Sequence, residues 1–93
     1  MRASHRGSKS TKGWKRRAPH LTSERRALKA RCGTKAFLEP KQLKFPIVAK
    51  TGGCAIDCAG LEAALRRARQ FHHRKAAAKA KRLGRRASCH WAR

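Results

Sequence analysis

The segment CAGLEAALRRARQF, Cys58 to Phe71, has one regular arrangement open to it. Leu61, Ala64, Leu65, Ala68 and Phe71 recur at spacings of three and four, while Glu62, Arg66, Arg67, Arg69 and Gln70 mostly face away. That spacing predicts an amphipathic helix, with Asp57 placed to cap its start. His72-His73 marks a break. Beyond it, an Ala-rich run over 74–87 predicts a second helix with Ala76, Ala77, Ala80 and Leu83 on one side. Gly84 weakens its end by about 1 kcal/mol relative to Ala. Two such helices joined by a short break form a hairpin whose seam is lined by small residues.

Upstream the pattern changes twice. Residues 34–50 hold most of the bulky apolar side chains, in Phe37-Leu38 and Leu43-Lys44-Phe45-Pro46-Ile47-Val48. Pro40 and Pro46 oppose helix and push Glu39 and Phe45 to extended backbone, so one or two short edge strands are expected. Residues 21–33 predict a short helix, capped by Thr22 or Ser23, carrying Glu24 in its first turn and ended by Gly33. Leu28 and Cys32, with Ala27, supply a narrow apolar stripe. Residues 1–20 carry seven Lys or Arg and no acid, and are expected to form a disordered basic arm. Residues 88–93 are expected to be a tail. The fold class is therefore mainly α: a small helical domain over 21–87 with a short helix, an extended Pro-containing segment, a C-terminal helical hairpin and a disordered N-terminal arm. Large core side chains are few in a chain of 93 residues, so stability without a metal, partner or assembly is marginal.

Charge bounds the function more tightly than the fold does. Twenty-six Lys and Arg oppose four Asp and Glu, for a formal charge of +22. Such a chain repels itself unless a polyanion compensates, and nucleic acid is the polyanion that rewards it best, through counterion release. Arg66, Arg67, Arg69, Arg74, Lys75, Lys79, Lys81, Arg82, Arg85 and Arg86 fall within the helical hairpin as a phosphate-contacting ridge. An ordinary solvated helix face would interleave acids for i,i+4 pairing, and only Glu62 is available there. Lys12, Trp14, Lys15, Arg16 and Arg17 in the arm, and Arg25 and Arg26 in the first helix, complete the candidate nucleic-acid-binding set. Trp14 has two options, docking on the domain or stacking on a base. No homeodomain, zinc-finger or RNA-recognition signature is present, so base specificity is expected to be low. No apolar run approaches the roughly 20 residues of a membrane span, and the N-terminus has no secretory signal, so neither membrane association nor secretion is expected.

Cys32, Cys54, Cys58 and Cys89 are the second chemical feature. Without a secretion signal they read as free thiols or metal ligands rather than a disulfide framework. With His72-His73 and His90 nearby, the four are candidate ligands of a tetrahedral zinc, although Cys54-x3-Cys58 is not a CxxC pair. Buried structural thiols and a redox pair are the alternatives. No other cofactor is implied. Catalysis has little support: Glu24, Glu39, Asp57 and Glu62 are scattered, and nothing marks one thiol as activated. The chain is expected not to be an enzyme.

One further pattern runs through the chain. Gly13-Trp14, Ser23-Glu24-Arg25-Arg26, Cys32-Gly33, Phe37-Leu38-x-Pro40, Leu43-Lys44-Phe45-Pro46-Ile47, a Cys-containing loop and GLEAALRRARQ from Gly60 to Gln70 occur in that order. This order resembles small uncharacterised basic proteins of nucleocytoplasmic large DNA viruses, over roughly residues 13–83. A looser version is similar to short phage-encoded proteins. The resemblance implies a virion or viral DNA setting and brings no activity with it. The proteins it resembles are richer in Cys around the Phe-Leu-x-Pro and loop segments, so the resemblance implies a thiol where Ala36 and Val48 stand here, which weighs against zinc. The expected function is binding of nucleic acid, DNA favoured over RNA, through its phosphate backbone, neutralising or condensing a viral genome. The expected location is the virion interior or the host nucleus or cytoplasm, with capsid or other virion proteins as further partners. The alternative is a structural assembly component, of capsid-interior or ribosome type, threading a basic arm between neighbours.

Overall fold

A computed structural model describes residues 11–92 and is mainly helical. Helix α1 spans Trp14–Arg17, α2 Thr22–Cys32, α3 Cys58–Gln70 and α4 Arg74–Arg86. Strands β1 (Phe37–Glu39) and β2 (Lys44–Pro46) lie between α2 and α3. Short 3-10 turns occupy Thr34–Ala36, Pro40–Gln42 and His90–Ala92.

The α3–α4 hairpin is the frame. Asp57 caps α3 as its position implies, accepting a hydrogen bond from the Gly60 amide at 3.0 Å. Ala64 and Ala68 on α3 and Ala76, Ala80 and Gly84 on α4 are buried between the two helices and their neighbours, and side chains this small let the backbones approach closely. Both helices end the same way. The His73 amide donates to Ala68 and the Cys89 amide to Gly84, with His72 and Ser88 at positive φ in the position usually held by glycine.

The extended segment folds into a two-stranded antiparallel hairpin with Phe37 opposite Pro46 and Glu39 opposite Lys44. Pro46 is tolerated because a two-stranded sheet leaves each strand one free edge. Strand β2 lies on α3 and β1 on α4. Phe37, Leu38, Ile47 and Val48 thereby join Leu28, Leu61 and Leu65 in a single buried cluster.

Five expectations are corrected here. Helix α2 is not capped by Thr22 or Ser23; its N-cap is Leu21, and the Glu24 carboxylate accepts from the amides of Leu21 (3.1 Å) and His20 (2.8 Å). Ala27 is exposed, outside the stripe assigned to it, and Phe71 is exposed beneath the Arg67 guanidinium. The basic arm does not extend to residue 20: Trp14, Ala18 and Pro19 are buried, and residues 11–20 belong to the domain. Part of the cause is Gly60, where a Cβ would lie 2.6 Å from the Trp14 ring, so the indole sits on bare helix backbone. The disorder expected for residues 1–10 lies outside the described residues. Finally, residues 88–92 are not a tail. Cys89 is fully buried, and the Trp91 indole donates to the Cys58 carbonyl at 2.8 Å.

Candidate nucleic-acid interface

Helix α4 sorts its charges by geometry. With Ala76, Ala80 and Gly84 buried, a 100° step per residue places Lys75, Lys79, Arg82 and Arg86 along one flank and Arg74, Lys81 and Arg85 along the other. All except the half-buried Lys79 are exposed, and Lys79 reaches back to the Leu38 carbonyl at 3.5 Å. The second flank faces a cleft of about 340 Å³ shared with α3. Its walls include Arg66 and Arg69 from α3, Lys81 and Arg85 from α4, and Trp91 from the C-terminal turn.

The chain has four carboxylates, and each has a basic partner inside the fold. Asp57 pairs with Arg17 at 2.7 Å, Glu62 with Arg66 at 3.0 Å, Glu39 with His73 at 2.9 Å and Glu24 with Lys50 at 3.6 Å. Among the described residues no further Asp or Glu is left to neutralise the rest. Among the described residues, Arg69, Arg74, Lys75, Lys81, Arg82, Arg85 and Arg86 have no carboxylate within ion-pair distance, and neither do Lys12, Lys15, Arg16 and Arg26.

Several candidate phosphate ligands prove to have internal work. Arg17 holds Asp57 with two donors, and that pairing keeps its guanidinium protonated further above its ordinary range. Arg25 donates to the Pro19 carbonyl at 2.9 Å and the Leu43 carbonyl at 3.0 Å, tying α2 to the strand turn. Arg67 lies over the Phe71 ring, 5.5 Å from its centroid. Trp14 is docked, not presented for stacking, since its ring is covered by the domain. Arg31, outside the candidate set, fastens the loop after β2 by donating to the carbonyls of Ala49 and Lys50 at 3.3 and 3.0 Å.

The cysteines depart furthest from expectation. Cys32, Cys54, Cys58 and Cys89 do not converge as a zinc set, nor do they stand as free thiols. They form two disulfides, Cys32–Cys54 and Cys58–Cys89, with Cα atoms 5.4 and 5.5 Å apart. The thiolate is the form that ligates a metal, and a disulfide sulfur is not one. Among the described residues no group of three or more His, Cys, Asp or Glu side chains is arranged to hold a metal ion. The first bridge ties the end of α2 to the loop before α3. The second ties the start of α3 to the C-terminal turn, which seats Trp91 beside the cleft.

Trp91 was not legible as a cleft residue in sequence, because its position depends on the Cys58–Cys89 bridge and on Gly84. A Cβ at Gly84 would come within 2.7 Å of its ring. No helix among the described residues is long and apolar enough to cross a membrane. No protein family model, curated protein or solved structure matches the chain.

Proposed function

We propose that this protein binds nucleic acid through the phosphate backbone, without strong sequence preference, and neutralises or condenses a viral genome within the particle. One observation carries the reading. All four Asp and Glu side chains have partners within the fold, and among the described residues the cations along both flanks of α4 have no carboxylate within ion-pair distance. A folded domain with such a surface gains from a polyanion that releases its condensed counterions on contact. Arg74, Lys75, Arg82, Arg85 and Arg86 are exposed, and Arg suits phosphate because its planar fork offers two parallel donors.

The viral setting, and the preference for DNA over RNA, rest on the family resemblance of the Gly13–Leu83 pattern. The disulfides suit that setting, because a particle outside the cell is an oxidising environment and the reduced cytosol is not. The reading is of a binding protein, not an enzyme.

The test is a salt-titrated competition among duplex DNA, structured RNA and heparin. Binding to duplex DNA is expected to weaken with salt, with a log–log slope of about −0.9 per phosphate contacted. Affinity that stays constant between about 50 and 500 mM salt ends the proposal, since counterion release would then contribute nothing. Equal affinity for all three polymers reduces it to general adhesion to polyanions.

A further inference from the structure

We infer that the cleft between α3 and α4 is a seat for one unpaired nucleotide of a nucleic-acid strand, its phosphate held by Arg69, Lys81 and Arg85 and its base set against Trp91. The inference rests on the nucleic-acid reading above and adds to it a preference for single-stranded segments or ends.

The cleft holds about 340 Å³, a size that accepts a small organic group but not the width of a duplex. Its cations come from two helices, so they converge across the cleft instead of lying along one ridge. Arg66 is already engaged with Glu62, the only carboxylate in the lining, whereas Arg69, Lys81 and Arg85 have no acidic partner among the described residues. Trp91 adds what a plain phosphate site lacks. Its indole N–H is committed to the Cys58 carbonyl, and its ring lies against Gly84, so its orientation is fixed before any ligand arrives. The residue is only half-buried, and its remaining surface lines the cleft. A cationic groove with an aromatic ring in its wall is the arrangement by which proteins hold single strands, because every base has a face to stack.

The test uses the oxidised full chain and an oligothymidylate of about eight nucleotides, within the span that small single-strand sites cover. Tryptophan emission is expected to be quenched on binding. In Trp91→Phe, which keeps an aromatic ring against Gly84, the remaining Trp14 emission should stay unchanged while the oligonucleotide binds more weakly. The variant R69Q/K81Q/R85Q should lose at least tenfold in oligothymidylate affinity and flatten the log–log salt slope by about 2, from three lost single-strand phosphate contacts. A triple variant of equal charge elsewhere, K12Q/K15Q/R26Q, should lose less. Equal losses in the two triple variants overturn the seat, as does quenching that persists in Trp91→Phe. In either case duplex binding that remains salt-dependent leaves the proposed function standing. Failure of duplex and oligothymidylate alike to bind overturns both.

Discussion

Arg17 and Asp57 meet through two hydrogen bonds, at 2.7 and 3.1 Å, and so join the N-terminal segment to the start of α3. The same carboxylate caps α3 through the Gly60 amide. A single side chain therefore fixes both the first turn of the hairpin and the position of α1. Asp57→Ala should cost about 1–2 kcal/mol, most of it from the lost cap, because the half-exposed ion pair adds little. Asp57→Asn keeps an acceptor for the Gly60 amide and should cost less. Urea unfolding of the three proteins measures the difference, and equal midpoints would remove Asp57 from this role.

Acid should expose the same arrangement. Burial alone would push the Asp57 carboxyl up, but the Arg17 hydrogen bond, the Gly60 amide and the Arg17 charge together hold it below its ordinary value. Glu24 is lowered chiefly by the Leu21 and His20 amides. A carboxyl depressed by folding contributes stability that is present above its unfolded pKa, near 4, and lost as pH falls through its lower folded value. Stability should therefore stay level with respect to these two groups from neutral pH down to about 4, then fall. The double variant D57N/E24Q should show a shallower fall in a series of thermal melts from pH 7 to pH 2, and an identical profile would refute the assignment.

Gly60 and Trp14 test whether residues 11–20 belong to the domain. An added methyl on Gly60 would meet the indole at 2.6 Å, closer than carbon atoms approach. A buried ring cannot yield by rotating a flexible end, so Trp14 has to leave its seat. Gly60→Ala should lose about 1–3 kcal/mol despite its better helix propensity, and Trp14 emission should shift to the red as water reaches the ring. A stabilised Gly60→Ala with unshifted emission would mean that α1 does not pack on α3.

The parts of this fold legible in sequence are those that repeat locally. Leu61, Ala64, Leu65 and Ala68 carry their own period, so α3 and its Asp57 cap follow from neighbouring residues alone. Pro40 and Pro46 restrict their own backbone, so the extended segment follows too. The rest depends on residues distant in the chain. Trp14 reads as part of an arm because seven basic residues surround or precede it, and nothing nearby reveals that Gly60 will receive it. Four cysteines allow three pairings, and spacing does not choose among them. The basic flanks of α4 were legible as helical spacing. Charge alone does not distinguish Arg85, which has no internal acceptor, from Arg25, which is occupied by two carbonyls.

The disulfides should matter more here than in a chain with a larger core. Cys32–Cys54 and Cys58–Cys89 span 22 and 31 residues, and loops of such lengths are worth about 3–4 kcal/mol each in the chain-entropy account. A domain of this size has little stability to lose. Protein prepared under oxidising conditions should be lighter than its reduced form by the four hydrogens that two disulfides remove. Reduction should lower the Tm sharply. Replacing Cys58 and Cys89 together by Ala should free Trp91 from the cleft and raise its exposure to acrylamide quenching, whereas replacing Cys32 and Cys54 should not. Equal quenching in both double variants would separate Trp91 from the second bridge.

His72 and Ser88 offer the opposite kind of change. Each closes a helix from the left-handed region, at φ 60° and 58°, where a side chain crowds its own backbone. Each is exposed, with no described side-chain hydrogen bond to lose. Glycine relieves the crowding, worth about 1–2 kcal/mol, and returns part of it as greater freedom of the unfolded chain. His72→Gly and Ser88→Gly should each raise stability by about 0.5–1 kcal/mol, and because they close different helices the two gains should add. Thermal melts of the single and double variants at fixed pH decide it. A destabilised His72→Gly would show that the imidazole contributes something this geometry does not contain.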